Sequence, residues 1–203
     1  MNSTRQLVLA SASPRRLELL RSIGIDVRVV PSVYHEPPRD DLTPRELAVL
    51  HAKEKAKEVA ARLPEALIVA ADTVVDLDGT ALGKPKDDAD ALRMLRALSG
   101  RPHDVHTAFT LIDPIGRISR DEVETTRVWF YDLEDDEIAA YVRTGDSADK
   151  AGGYGIQGLG VTLVRRVEGD FYTVMGFPLG KFARTLAQLG LSPNGAKQKG
   201  PNP

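Results

Sequence analysis

Residues 67–79 read LIVAADTVVDLDG, and this stretch decides which fold the chain can adopt. Its first five residues are all apolar, which is typical of a strand covered on both faces. Residues 74–77 continue in an extended pattern, and Asp78-Gly79 is a strong signal for a hairpin turn. The stretch therefore predicts a buried strand, followed by a hairpin, in a sheet that carries helices on both faces.

Upstream of this strand, strand and helix signals alternate. Ser13 suits the N-cap of a helix and Pro14 suits its first position, where the missing N–H costs nothing. Thr43 and Glu46 form a capping box at the start of a second helix, which Pro64 ends. The predicted elements are a strand over 7–10, a helix over 15–22, a strand over 25–30 and a helix over 44–62.

Downstream, the same patterns predict further helices and strands. Apolar residues at helical spacing mark 88–98 as a helix. The other predicted elements are strands over 106–112 and 117–130, a helix over 134–143, a hairpin of strands over 161–167 and 171–175, and a helix over 178–189. Residues 192–203 have the composition of a disordered tail. This layout predicts an α/β fold with a mixed, twisted sheet and helices on both faces.

The bulk composition narrows the class of function. The 203 residues include 27 basic and 29 acidic side chains, a formal net charge of −2, which argues against a nucleic-acid-binding protein with a broad basic face. Cysteine is absent, which excludes disulfides, thiolate metal sites and a cysteine nucleophile. No apolar run is long enough to span a membrane and no signal peptide is recognisable, so we expect a cytoplasmic protein without a membrane partner.

Four polar clusters are candidates for chemistry, and the first is SASPRR at residues 11–16. Arg15 and Arg16 fall in the first turn of the predicted helix, where free backbone N–H groups and the helix dipole already favour anions. Two cations at this end of a helix are unfavourable unless a bound anion compensates for them. The alternative is an ordinary helix start with two solvated arginines.

The other three clusters also suit a phosphorylated ligand. Asp72 ends an apolar run, where a carboxylate is costly to bury without a metal ion or hydrogen-bond donors, although it could also cap a turn. Lys84 lies in the stiff loop GKPKD, where its compact charge suits a phosphate oxygen or is simply solvated. Gln157 lies in a glycine-rich segment over 149–160 and offers a donor and an acceptor to a nucleobase edge, unless the segment is merely a flexible loop.

Taken together and in this order, these clusters resemble the Maf family of nucleoside triphosphate pyrophosphatases. The matching motifs are SASPRR (11–16), ADTVV (71–75), GKP (83–85), HDVHT (103–107) and DKAGGYGIQG (149–158). The resemblance runs from Leu7 to about Leu189. It implies two lobes around a deep cleft, in a single unit over residues 1–191 that is often assembled as a homodimer. A simple doubly wound phosphate-binding domain is the alternative fold, but no GxGxxG or P-loop pattern supports it.

The resemblance also implies an activity. Members of the family hydrolyse a nucleoside triphosphate between the α and β phosphates, which yields the monophosphate and pyrophosphate, with a divalent cation such as Mg²⁺ or Mn²⁺. The combination of SPRR, ADT and YxIQG is similar to the branch that acts on dTTP and UTP. A sister branch that prefers 7-methyl-GTP differs at these motifs. A nucleoside triphosphate is thus the expected partner, and no nucleic acid is expected.

Individual residues receive roles from the resemblance and from the chemistry. Asp72 falls on the family's proton acceptor, and oxygen ligands from Asp72 and Glu36 would suit the metal ion. The remaining assignments are Lys84 and Lys53 among the catalytic residues, and Ser11, Arg15, Arg16, Thr73 and Gln157 as substrate-binding or specificity residues. One departure lies beside Glu36, where this chain has His35 and the family loop commonly has a second acidic residue.

Two other functions remain open from the sequence. One is a housekeeping hydrolase that clears modified pyrimidine triphosphates, with dTTP and UTP as convenient proxies. The other is a non-catalytic, nucleotide-binding regulator of cell division, since an older association of the family is with inhibition of septum formation. Turnover of a broad nucleotide panel would separate the first from a dTTP/UTP enzyme, and binding without turnover would favour the second.

Overall fold

A computed structural model of the protein describes residues 6–37 and 39–191. Within these residues, a seven-stranded mixed sheet has the order β2-β1-β3-β5-β6-β7, with β4 paired to part of β3. The strands are β1 (Leu7–Leu9), β2 (Arg28–Val29), β3 (Leu67–Leu77), β4 (Thr80–Leu82), β5 (Pro102–Asp113), β6 (Ile118–Phe130) and β7 (Val164–Glu168). The predicted disordered tail over 192–203 lies outside the described residues.

The strand predicted from LIVAADTVVDLDG is β3, which lies inside the sheet. Residues 67–69 pair with β1 in parallel, whereas β4 and β5 both pair with β3 in antiparallel. Asp78 and Gly79 have positive φ angles of 52° and 83°, the backbone that a two-residue hairpin of this kind requires. The predicted mixed sheet and the predicted hairpin are both confirmed.

Six α-helices accompany the sheet in the described part of the chain. They are α1 (Pro14–Ser22), α2 (Pro44–Arg62), α3 (Asp88–Leu98), α4 (Asp135–Arg143), α5 (Phe171–Met175) and α6 (Leu179–Gln188), with 3₁₀ turns at Ala151–Gly153 and Gly158–Thr162. Both α2 and α3 have the predicted bounds. The capping box of α2 is present, because Thr43 Oγ1 accepts from Glu46 N and the Glu46 carboxylate accepts from Thr43 N at 2.9 Å.

The side chains of β3 alternate between the two faces of the sheet and so divide the core. Positions 68, 70 and 74 pack with buried residues of α2. Positions 67, 69 and 71 join a cluster with α1 and α6, and positions 75 and 77 join one with α3 and α4. Helices therefore cover both faces, as predicted. The same alternation directs the neighbouring Asp72 and Thr73 to opposite faces.

One predicted element is of the wrong type. Residues 171–175 were expected to form the second strand of a hairpin, but they form helix α5. The Asp170 carboxylate caps this helix by accepting hydrogen bonds from Thr173 N and Thr173 Oγ1, both at 2.8 Å. Gly176 ends the helix with a φ of 106°. β7 pairs with β6 instead, so local capping overrides the strand propensity of the sequence FYTVM.

A second difference concerns the strand expected over 25–30. In the structure only Arg28–Val29 pairs with β1, as β2 at the edge of the sheet. Both paired residues are exposed, while Ile25 and Val27 are buried against α1 and α6. The apolar residues thus anchor the segment to the core, and only its end contributes to the sheet.

A buried histidine on β5 links the sheet to the glycine-rich segment. His103 is 3% exposed, its Nε2 lies 2.7 Å from the Tyr154 hydroxyl, and its ring packs edge-on against Phe130. His103 Nδ1 is the only buried side-chain N or O atom among the described residues that has no hydrogen-bond partner. Burial lowers the pKa of His103 to about 4. The imidazole is therefore neutral in the folded protein at neutral pH.

Replacement of the α2 cap is expected to destabilise the protein. Thr43→Ala should lower the free energy of unfolding by about 1 kcal/mol, because Glu46 N loses its capping partner. Denaturant unfolding monitored by circular dichroism measures the change. Thr43→Ser is the matched control and should retain most of the stability, since serine caps equally well. An equal loss in both variants would contradict the capping explanation.

Burial of His103 predicts a pH dependence of stability. Between pH 6.5 and about 4 the unfolded chain takes up a proton that the folded protein cannot accept, so the free energy of unfolding should fall as the pH decreases. The contribution reaches about 3 kcal/mol at the lower end of this window. His103→Gln can still hydrogen-bond to Tyr154. In this variant the slope of the unfolding free energy against pH should be smaller than in the wild type, by an amount that corresponds to close to one proton taken up on unfolding. An unchanged slope would show that other groups cause the dependence.

Candidate active site

A cleft of about 1110 Å³ opens along β3, between the segment that pairs with β1 and the segment that pairs with β4. Its walls come from the start of α1, the loop before α2, the loop after β4 and the glycine-rich segment. Most of the residues predicted from the sequence line this cleft: Arg15, Arg16, Glu36, Asp72, Thr73, Lys84 and Gln157. Motifs that are distant in sequence are therefore brought together around one cavity.

The floor of the cleft holds two carboxylates joined by one ammonium group. Lys55 Nζ on α2 lies 2.6 Å from Asp72 Oδ1 and 2.5 Å from Glu36 Oε1. Asp72 is 6% exposed, and burial raises its pKa although Lys55 acts in the opposite direction. Burial also acts to raise the pKa of Glu36, but the Lys55 ammonium outweighs it and the pKa is lowered. Lys55 thus keeps a negative pair of side chains stable inside the cleft.

Lys53, which the resemblance placed among the catalytic residues, lies elsewhere. Its Nζ bonds to Asp121 Oδ2 on β6 at 2.9 Å, and it does not line the cleft. Residues two apart on a helix do not share a face, so only one of Lys53 and Lys55 can point into the cleft. A sequence signal for Lys55 did exist. It lies seven residues after Ala48, on the stripe of small residues that α2 buries against the sheet.

Arg16 is half-buried and holds three elements together. Its Nε donates to Gly176 O at 2.9 Å, one terminal nitrogen donates to Ser11 Oγ at 3.1 Å, and the other donates to Thr73 Oγ1 at 3.2 Å. Burial lowers the pKa of Arg16 from its usual value. Thr73 Oγ1 lies a further 3.0 Å from Thr107 Oγ1. The guanidinium therefore fixes α1 against β3 and against the end of α5, and it commits the hydroxyls of Ser11 and Thr73.

Arg15 reaches across the cleft to the glycine-rich segment. One terminal nitrogen donates to Asp149 Oδ2 at 2.8 Å, and Lys150 Nζ lies 2.8 Å from the other oxygen of the same carboxylate. Lys150 Nζ also contacts Asp146 Oδ1 at 2.8 Å. Arg15 is thus accessible at the rim of the cleft, whereas Arg16 lies in its floor.

The start of α1 has open backbone donors. Ser13 occupies the N-cap position, as predicted, but its side chain accepts no capping hydrogen bond. Among residues 6–37 and 39–191, no acceptor is recorded for the backbone N–H groups of Arg15 and Arg16. The first turn of this nine-residue helix therefore presents N–H groups and the positive end of its dipole.

The glycine-rich segment is packed and ordered by its contacts. Gly152 N donates to Gly83 O at 3.0 Å, and a Cβ at Gly152 would lie 3.0 Å from Val75 Cγ2 at a φ of 69°. At Gly160 a Cβ would collide with the backbone of Gly155. Tyr154 and Ile156 are nearly buried, whereas Gln157 is exposed, and all three line the cleft. The segment is a fixed wall that joins the loop of Lys84 to the cavity.

The donor set suits a hard divalent cation that also binds substrate oxygens. Asp72 and Glu36 share one ammonium group, so their carboxylates are close enough to hold a single ion, and both supply oxygen. Among the described residues, no three His, Asp or Glu side chains are grouped so as to hold a metal. An ion at this position would complete its coordination with oxygen atoms of water or of a ligand, as is usual for Mg²⁺.

The chain is similar to known proteins over nearly its whole length. A family model described as "Maf-like protein" matches residues 6–189. A relative from Thermus thermophilus, named dTTP/UTP pyrophosphatase, is 50% identical over 92% of this chain and 96% of its own length. A relative from Methanosarcina mazei with the same name is 45% identical over 93% of this chain and 96% of its own length.

The chain is also similar to a solved structure. A HAM1 protein from Coxiella burnetii is similar over 91% of this chain and 99% of its own, with 17% identity and a TM-score of 0.49. No helix among the described residues is both long and apolar enough to cross a membrane.

Because the family model covers nearly the whole chain and close relatives match over nearly their full length, the chain belongs to the Maf family.

Proposed function

We propose that the protein is a nucleoside triphosphate pyrophosphatase that hydrolyses dTTP and UTP to the monophosphate and pyrophosphate. The observation that carries the proposal is the buried Asp72, which Lys55 joins to the more exposed Glu36, at the floor of a cleft that α1 enters with its open N-terminus. The names of the similar proteins support the same reaction and the same two substrates.

Three features of the cleft suit the triphosphate. The open N–H groups of α1 attract phosphate oxygens. Arg15 lies at the rim and can exchange the Asp149 carboxylate for a phosphate, with which it forms a similar charge-assisted pair. Lys84 lines the cleft and has no ion-pair partner among the described residues, so its ammonium is free to hold the leaving pyrophosphate.

The chemistry follows from the environment of Asp72. A water molecule attacks the α-phosphorus, the bond from that phosphorus to the bridging oxygen breaks, and pyrophosphate leaves with the bonding electron pair. Asp72 accepts the proton of the water, and burial assists because it raises the pKa of this carboxyl. Lys55 holds the carboxylate in place and offsets the charge that accumulates between Asp72 and the phosphates.

We propose Mg²⁺ or Mn²⁺ as the cofactor, with Asp72 and Glu36 as its protein ligands. Such an ion neutralises phosphate charge and makes a bound water a better nucleophile at neutral pH. His35, which stands where the family commonly has an acidic residue, is exposed and does not line the cleft. The protein therefore contributes two carboxylates to the ion, and substrate and water supply the remaining oxygens.

We assign recognition of the nucleobase to the glycine-rich segment. Gln157 lines the cleft and its side chain makes no hydrogen bond with the described residues, so both its donor and its acceptor are available to a pyrimidine edge. Thr73, Ser11 and Arg16 act indirectly, because their polar atoms already bond to one another.

We further propose that the catalytic unit spans residues 1–191 with two lobes facing the cleft, and that it works in the cytoplasm as a homodimer.

Two alternatives make different predictions for turnover. A hydrolase for modified pyrimidine triphosphates would turn over such nucleotides faster than dTTP or UTP. A non-catalytic regulator of cell division would bind nucleotides without hydrolysis, but a buried carboxylate with a raised pKa beside a phosphate-binding helix has no use in such a protein.

Loss of the Asp72 carboxylate is expected to abolish turnover. Asp72→Asn should lower kcat for dTTP and UTP by about a hundredfold to ten-thousandfold, the usual range for removal of a general base. Pyrophosphate release from dTTP, UTP, CTP, GTP and 7-methyl-GTP, with Mg²⁺ and with Mn²⁺, measures this. Asp121→Asn, which changes a carboxylate outside the cleft, is the matched control and should keep normal kinetics. Near-normal turnover by Asp72→Asn would refute the assignment.

The two lysines of α2 allow a sharper test of the geometry. Lys55→Met should reduce kcat/KM at least tenfold, because it leaves Asp72 and Glu36 without the cation that holds them, and truncating one partner of a buried pair is severe. Lys53→Met should leave kcat/KM within about twofold of the wild type, as expected for an exposed pair. Thermal unfolding of both variants identifies any general loss of structure. The reverse ranking of the two variants would contradict the placement of α2.

A further inference from the structure

A histidine in the cleft has no part in the chemistry described so far. His51 lies on α2, one helical turn before Lys55, and it lines the same cavity. Only 4% of its surface is exposed. Its neighbours along the buried stripe of α2 are the alanines Ala48 and Ala52, so an imidazole at this position is a polar exception.

The ring of His51 is held in one orientation. Its Nδ1 lies 3.2 Å from the Tyr34 hydroxyl, and the two ring centroids are 5.8 Å apart. Tyr34 is itself fixed, because its backbone N–H donates to Ser32 Oγ at 3.1 Å and the preceding Val33 N donates to Glu58 Oε2 at 3.1 Å. The loop before α2 therefore orients the imidazole from one side.

The other ring nitrogen opens toward the cleft. No hydrogen bond joins Nε2 of His51 to any residue that the structure describes. Among these residues, the one buried side-chain nitrogen or oxygen without a hydrogen-bond partner is His103 Nδ1, so Nε2 of His51 is not a buried atom. An unpartnered atom that is not buried must be accessible, and the surface that His51 shows is the lining of the cavity. His51 is thus a nearly buried side chain with one free polar atom directed into the site.

We propose that His51 Nε2–H donates a hydrogen bond to the pyrophosphate part of the bound triphosphate, and that Tyr34 is the positioning residue for this contact. With the Tyr34 hydroxyl donating to Nδ1, the neutral imidazole carries its proton on Nε2 and is a donor toward the cleft. The proposal rests on the proposed function, because it assigns a residue to one part of that substrate.

The position of His51 selects the phosphate end of the substrate. Gln157, to which base recognition is assigned, belongs to the glycine-rich segment, which contacts α3 and the loop after β4. His51 belongs to α2, which packs on the other face of β3 beside Lys55 and Asp72. The base and the pyrophosphate lie at opposite ends of a nucleoside triphosphate, so a residue on α2, away from Gln157, is placed for the pyrophosphate. Lys84 holds the same pyrophosphate from the loop that Gly152 contacts, so the two residues reach it from different walls of the cleft.

Inorganic pyrophosphate is the probe that tests this contact. Calorimetry gives its Kd with Mg²⁺, and steady-state kinetics gives its inhibition constant against dTTP together with KM and kcat. His51→Leu should raise the Kd of pyrophosphate and the KM of dTTP at least about tenfold, the usual effect of losing a hydrogen bond to a charged group. The affinity for dTMP should be unchanged, because the contact is made only to the departing group.

Two further variants separate a hydrogen bond from packing. His51→Gln retains a side-chain N–H donor and should recover part of the affinity for pyrophosphate. Tyr34→Phe removes only the hydroxyl and should weaken pyrophosphate binding less than His51→Leu does. Equal losses in the leucine and glutamine variants, or a folded His51→Leu protein that binds pyrophosphate as the wild type does, would overturn the inference.

The outcome is distinguishable from failure of the proposed function. If the wild type hydrolyses no nucleoside triphosphate, the proposed reaction is wrong, whereas the pyrophosphate Kd of the His51 variants still decides whether Nε2 binds the phosphate. If the wild type hydrolyses dTTP and the His51 variants change kcat alone, with the pyrophosphate Kd unaffected, the reaction stands and the His51 contact is refuted.

Discussion

The ion pair between Asp72 and Lys55 is the constraint on which the site depends. A carboxylate inside a sheet that helices cover on both faces is unfavourable without a cation and hydrogen bonds beside it. Lys55 provides the cation at 2.6 Å from Asp72, and the same ammonium draws in Glu36 from the loop before α2. These two contacts fix the rotation of α2 relative to β3, and they fix the loop before α2 against both elements. A hydrolytic cleft and a stable core thus share one interaction.

Successive side chains of β3 point to opposite faces of the sheet, so the strand contributes to both walls of the cleft. Asp72 faces α2, whereas the next residue, Thr73, faces α1 and receives a hydrogen bond from Arg16. Arg16 in turn donates to Gly176 O at the end of α5, so a half-buried guanidinium closes the opposite face of the strand. Two adjacent residues of one strand therefore attach the acidic floor to one layer of helices and the start of α1 to the other.

Local signals in the sequence predict most of the fold. A capping box defines the start of α2, apolar residues at helical spacing define α3, and Asp78-Gly79 defines a hairpin, because these signals depend only on residues that are near in sequence. Residues 171–175 mislead because their side chains favour a strand, while the decisive signals are the cap at Asp170 and the glycine at 176. The choice of Lys55 over Lys53 needs the rotation of α2, which its packing against the sheet determines.

The cations of the cleft differ in how readily a triphosphate can recruit them. The pair between Arg15 and Asp149 is partly exposed, with 29% and 57% of the two side chains accessible, and such pairs contribute only about 0–1 kcal/mol. Lys55 is 13% exposed and bridges two carboxylates, so separating it from both leaves buried charge uncompensated. In the proposed function, a triphosphate therefore exchanges partners at the rim, where Arg15 can leave Asp149, while the floor keeps its geometry. A rigid floor and an exchangeable rim let the same site hold the reacting phosphorus firmly and still admit a highly charged ligand.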